Sequence, residues 1–267
     1  MRLRRLTIAG VLAATAITNF KPAQARFTAA QLGEISAAPS ADASLPLGLT
    51  FRDDNGRATT VESALAGHPS VLIFADYTCR TLCGPILEFA ISGLAKTGLR
   101  AGADYRLVVI GINPHDGSDS AHAMRAAHID AANPINRGVV LLSGDETNIQ
   151  AAATAVGLHY AYDPEHDQYA HPAAAYIVDA TGGVRRLLSP LGLDGSDLRL
   201  ALVDAGRGAI GNLADQIHLL CYGYDPVKGI YTERITTLLG YAATATLLVM
   251  TGGIFTMIMR NRRRIAS

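Results

Sequence analysis

Hydrophobic residues fall into short unbroken runs along this chain, separated by stretches with a helical period. Val71–Phe74, Leu107–Ile110, Val139–Leu142 and Ala173–Val178 are continuous apolar runs, the pattern of strands buried on both faces. Val184–Leu188 follows the last of them across Thr181-Gly182-Gly183, a hairpin turn signal. Ahead of the first run, Leu49-Thr50-Phe51 reads as a short strand and Asp53-Asp54-Asn55-Gly56 as a turn. Pro85–Leu99 carries Ile86, Phe89, Ala90, Ile91 and Leu94 at roughly helical spacing. Ser118–Ile129 and Ser196–Ala205 also read as helices, and Asp145–Val156 is a helix stopped by Gly157.

From the first long run onward the order is β-α-β-α-β-α-β-β-α. Such alternation predicts an α/β fold with parallel strands, to which the closing hairpin adds an antiparallel edge. That is the thioredoxin-like pattern.

The two ends differ from this body. Arg2, Arg4 and Arg5 precede the apolar stretch Leu6–Phe20, and Ala23-Gln24-Ala25 matches an A-x-A cleavage site. Residues 1–25 are therefore predicted to be a signal peptide. Residues 26–46, rich in Ala, Ser and Pro, read as a linker, and residues 47–206 as the folded domain. Residues 207–234 form a juxtamembrane tail. Ile235–Met259 has no charged residue and is long enough for a transmembrane helix. The basic end, residues 260–267, begins with Arg260 and carries Arg262, Arg263 and Arg264, which places the C-terminus in the cytoplasm. The expected topology is a single-pass inner-membrane protein with its main domain in the periplasm.

Composition sharpens this picture. The chain has 267 residues, 49% of them hydrophobic, with no tryptophan and three cysteines. Disordered, collagen-like and disulfide-dense classes are excluded. The formal net charge is zero. Because the ends are basic, the stretch between them is acidic, which argues against nucleic acid as a partner. No G-x-x-x-x-G-K, G-x-S-x-G or H-E-x-x-H motif is present, so phosphoryl transfer, acyl transfer and zinc proteolysis have no support.

The chemistry concentrates at Cys79 and Cys83, between the first long strand and the first long helix. A spacing of four puts both sulfurs on one helical face, and a helix N-terminus favours thiolate. Such a pair can form a disulfide in an exported protein or offer two soft ligands to Cu(I). Two thiolates leave a trigonal site one ligand short, and imidazole suits copper. Of the eight histidines, His171 stands just before the Ala173–Val178 strand. In a thioredoxin-like sheet that loop packs against the active-site helix, making His171 the best third ligand.

The segment Phe74-Ala75-Asp76-Tyr77-Thr78-Cys79-Arg80-Thr81-Leu82-Cys83 resembles the strand and C-x-x-x-C motif of the Sco/SenC family. Gly111-Ile112-Asn113-Pro114-His115-Asp116 is similar to that family's S-x-D-P-x-x-D segment. Tyr169-Ala170-His171, followed by a strand, Asp179 and the Gly182-Gly183 turn, continues the likeness, which covers roughly residues 45–205. The resemblance implies that Cys79, Cys83 and His171 bind copper and that the cysteines cycle between dithiol and disulfide. It implies a metallochaperone acting on the CuA-bearing subunit of cytochrome c oxidase.

Three departures stand out. The family often has Cys-Pro at each cysteine, whereas Arg80 follows Cys79 and Gly84 follows Cys83; Asn113 replaces the usual acid; Pro172 follows His171. The tail Cys221-Tyr222-Gly223-Tyr224-Asp225-Pro226 resembles that of a membrane-tethered Sco-like subgroup and holds the third cysteine. The alternative reading is a membrane-tethered thiol–disulfide oxidoreductase, with Cys79 attacking and Cys83 resolving. The C-x-x-x-C spacing and His171 favour the metallochaperone, which need not be an enzyme. A peroxidase of this fold would need Thr or Ser where Asp76 stands.

Overall fold

A computed structural model describes residues 35–79, 83–164, 167–206, 222–225, 230–233 and 243–253. The strands are β1 (Ser36–Ala37), β2 (Thr50–Asp53), β3 (Ala58–Thr60), β4 (Ser70–Ala75), β5 (Arg106–Gly111), β6 (Val139–Ser143), β7 (Leu158–His159), β8 (Ala161–Asp163), β9 (Gln168–Ala170), β10 (Ala175–Val178), β11 (Val184–Leu188), β12 (Tyr222–Asp225) and β13 (Ile230–Glu233). The helices of the domain are α1 (Val61–Leu65), α2 (Cys83–Lys96), α3 (Ser118–His128), α4 (Glu146–Ala155) and α5 (Gly195–Ala205).

The central sheet has seven strands in the order β11-β10-β4-β5-β6-β2-β3. β4, β5 and β6 are parallel, and β10 runs antiparallel to β4 with Ala175 opposite Ile73. This is the expected α/β, thioredoxin-like arrangement. Alternate residues of each apolar run serve opposite faces. Val71, Ile73, Leu107 and Val109 belong to one core with α2, α3 and α5. Leu72, Phe74, Val108 and Ile110 belong to a second core with α1 and α4. Two apolar layers, one on each face, explain why these strands read as unbroken runs.

The expected strand at Leu49–Phe51 and turn at Asp53–Gly56 are present as β2 and its turn, but the sequence pattern missed several other elements. β3 returns from that turn to pair with β2, and the hairpin adds to the far edge of the sheet beside β6. β8 and β9 form a separate hairpin. The segment expected to be a linker is docked over residues 35–46. Its β1 pairs with β7, Ser44 bridges Gly183, and Leu45 is 1% exposed. Gly157 both stops α4 and receives this segment. It adopts φ +67, accepts from Ala38 N at 2.9 Å, and has no room for a side chain against Ala38.

α3 is held firmly. Its Arg125 pairs with buried Asp54 and donates to Asn136 Oδ1 at 2.6 Å and to the Val139 carbonyl at 3.0 Å.

Residues 243–253 are helical and exposed. Among the described residues no helix is long and apolar enough to cross a membrane. The rest of the expected span 235–259, the signal segment 1–25 and Cys221 lie outside the described residues.

Burial holds three tyrosines well above the ordinary phenol range: Tyr77, Tyr176, and Tyr105, which is pushed up to about 12. A folded-state pKa above the unfolded one, about 10, contributes stability that is complete below that value. That stability is lost as pH rises through the folded pKa. The domain is therefore expected to hold its stability to about pH 10 and to unfold above it. Tyrosinate absorbance should rise together with loss of helical circular dichroism rather than before it.

Candidate metal centre

The loop from Asp76 to Cys79 leaves the C-terminal end of β4, and α2 begins at Cys83. Asp76 is fully buried. Its Oδ1 accepts from Thr78 N at 3.0 Å and Thr78 Oγ1 at 2.8 Å, and Cys79 N donates to the Asp76 carbonyl at 3.2 Å. These bonds fold the loop into a tight Asx-type turn that sets the Cys79 backbone. The other carboxylate oxygen, Oδ2, accepts from Tyr169 N at 2.9 Å. One buried carboxylate thus ties the Cys79 loop to the end of β9, two residues before His171.

Tyr77 anchors the same loop from below. Its N–H donates to Asp116 Oδ2 at 2.9 Å. Its hydroxyl lies between β5 and β6, 3.0 Å from the Val109 carbonyl and 2.8 Å from the Leu142 carbonyl, and accepts from Leu142 N at 3.0 Å. The ring lies on Gly111, where an added methyl would sit 2.8 Å from Tyr77 Cε2. Gly111→Ala is therefore expected to cost about 1 to 3 kcal/mol through overpacking, read by chemical denaturation. Asn113 joins the brace, with Nδ2 at 3.5 Å from Thr78 Oγ1. Burial, and then the neighbouring charge of Asp76, raises the Asp116 pKa, although the bond from Tyr77 N opposes the rise. Two buried carboxylates, Asp76 and Asp116, therefore hold the loop.

His171 lies in the loop between β9 and β10. Because Ala175 faces Ile73 across an antiparallel pair, this loop runs past the same end of β4 as Cys79. Cys79 and Ala173 both pack against the core shared with α2. Nδ1 of His171 is 3.0 Å from the Pro172 carbonyl. A carbonyl can only accept, so Nδ1 carries the proton and Nε2 the lone pair. Burial lowers the His171 pKa, against the opposing pull of the Pro172 bond and Asp76. The neutral form, the one able to coordinate a metal, is favoured.

The fold thus brings the Cys79 and His171 loops together and starts α2 at Cys83. The Cys83 side chain, residues 80–82, His166, His218 and Cys221 lie outside the described residues. Among the described residues, no group of three His, Cys, Asp or Glu side chains is placed to hold a metal ion. His115 is exposed beside Asn113, and His122 is exposed on α3. Sequence reasoning missed the roles of Asp76 and Asp116. The signal for Asp76 was present: an acid directly after a buried apolar run, with Thr two residues on, is an Asx-turn signature.

The SCO1/SenC family model matches residues 41–198, more than half of the chain. The chain belongs to the SCO1/SenC family. The match spans β4, the C-x-x-x-C segment, the Asn113–Asp116 turn and His171. No curated protein matches the chain. Among solved structures it is similar to an Aquifex aeolicus VF5 protein assigned to electron transfer, at 15% identity over 63% of this chain and 95% of that one, with a TM-score of 0.56. It is similar to Arabidopsis thaliana ScoI with copper bound, at 19% identity over 63% and 99%, TM-score 0.50. Yeast Sco1 with copper bound matches at 16% identity over 65% and 94%, TM-score 0.50. At these identities the structural likeness carries the fold, and the SCO1/SenC match carries the family.

Proposed function

We propose that this chain is a copper metallochaperone that holds copper with Cys79, Cys83 and His171 and delivers it to the CuA-bearing subunit of cytochrome c oxidase. The observation that carries the reading is the Asp76 tie. It ties the Cys79 loop to the end of β9 that leads into the His171 loop, and the Pro172 carbonyl sets the His171 proton on Nδ1. Two thiolates and a neutral imidazole form a donor set suited to Cu(I). SCO1/SenC membership and the copper-bound relatives support the same assignment.

Loading requires both sulfurs as thiolates. From the disulfide, that takes a two-electron, two-proton reduction by an external dithiol, which leaves as its own disulfide. Delivery is ligand exchange without electron transfer: an acceptor thiolate bonds to copper as a Cys79 or Cys83 thiolate leaves. The proposed membrane helix over 235–259, with the domain in the periplasm, holds donor and acceptor in one plane and raises their effective concentration.

The test mixes Cu(I)-loaded full chain in detergent with the reduced, metal-free CuA-bearing subunit. Copper transfer that depends on His171 supports the proposal. Reduction of the acceptor's disulfide without copper, unaffected by His171→Ala, would replace it with the oxidoreductase reading.

A further inference from the structure

We propose that His128, the last residue of α3, is a positioning residue for Cys83, acting through Gly84 and held in place by Glu88. This rests on the copper-binding role of Cys83 proposed above. The imidazole of His128 lies directly on Gly84, the second residue of α2. A methyl group at Gly84 would sit 2.6 Å from His128 Nε2 and 3.1 Å from Nδ1, closer than packed side chains tolerate. The ring is also held by Glu88, with Nδ1 2.8 Å from Oε1. Gly84 and Glu88 are four residues apart and therefore on one face of α2. The ring sits across that face, clipped to its first turn.

Three features make this more than surface packing. Gly84 is buried and the His128 side chain is only 26% exposed, although Glu88 reaches solvent. α2 begins at Cys83, so a ring pressed on Gly84 fixes the backbone from which Cys83 projects. α3 itself cannot drift, because Arg125 ties it to Asp54, Asn136 and Val139. The segment leading into α3 also holds the other cysteine's loop, through Asp116 and Tyr77 N. α3 and the turn just before it therefore touch the segments of both cysteines, through Asp116 two residues ahead of the helix and His128 at its end. The close approach also gives a physical reason for glycine at position 84, since a Cβ there would meet the imidazole.

The test measures Cu(I) affinity of the reduced full chain in detergent by competition with a chromophoric Cu(I) chelator. Gly84→Ala is expected to weaken binding about 10-fold or more, the effect typical of disturbing a ligand's support. His128→Ala should weaken it less. The double variant, which removes the clash, should recover most of what Gly84→Ala loses. Glu88→Gln, at an exposed position, provides a variant in which the fold is kept. It is expected to weaken binding by a few-fold, about the lower end of the same effect.

Wild-type affinity in Gly84→Ala, or a double variant as weak as Gly84→Ala, would overturn the proposal. So would a fall in melting temperature with affinity unchanged, since that is a purely structural role. If the wild type binds no Cu(I), the metallochaperone reading fails instead. The positioning role is then read from the alkylation rate of Cys83 relative to Cys79. A changed ratio in Gly84→Ala, restored in the double variant, supports it, and an unchanged ratio refutes it.

Discussion

Asp76→Asn is expected to lower stability by about 1 to 3 kcal/mol and to weaken Cu(I) binding by about 10- to 100-fold. The carboxylate is fully buried and uses both oxygens, one toward Thr78 N and Oγ1, the other toward Tyr169 N. An amide keeps the shape but turns one of these acceptors into a donor. Whichever way it is oriented, an N–H then faces an N–H in a fully buried site. If the amide nitrogen points at Tyr169, the loop before His171 is released. If it points at Thr78, the Cys79 turn opens. Relief of the repulsion between Asp76 and Asp116 offsets part of the cost, since that repulsion contributes to the raised Asp116 pKa. Denaturation gives the stability loss and chelator competition the affinity. A copper affinity equal to wild type at reduced stability would show that the tie is structural alone.

His171→Ala carries the second large effect: a loss in Cu(I) affinity beyond the roughly 100-fold that follows loss of a residue merely supporting a ligand. The fold should survive, because His171 lies in the loop between β9 and β10, outside the sheet. Two-coordinate binding by the thiolates would remain, so copper should still be retained, but weakly. His171→Ala with wild-type affinity would remove the imidazole from the site and leave a dithiol pair, which fits the oxidoreductase reading better.

The parts of the molecule that could be read from the sequence are those whose residues all face the core. β4, β5 and β6 stand out because both faces of the sheet are covered, so their central positions are all apolar. The α4 boundary is legible because Asp145 caps it and Gly157 ends it. The β8–β9 hairpin has no such signature. Tyr162 is exposed, Asp163 is buried, and the Tyr169 ring packs on Tyr162 and Tyr160, with centroids 5.2 Å and 5.6 Å apart. Its alternation is too short and too polar to register, yet it delivers Tyr169 N to Asp76. Residues 35–46 look loose because they are small and Pro-containing. They dock through backbone pairing and Leu45, neither of which leaves a strong periodic signal. In the centre itself the cysteines and His171 announce their chemistry by residue type, whereas Asp76, Asp116 and Gly84 act through geometry that only the folded chain displays.

The account turns on one coordination sphere. X-ray absorption of the reduced full chain loaded with one equivalent of Cu(I) reads it directly. The account predicts two sulfur ligands and one imidazole nitrogen, with the nitrogen lost in His171→Ala. A first shell of nitrogen and oxygen without sulfur, or a nitrogen that persists in His171→Ala, would contradict it.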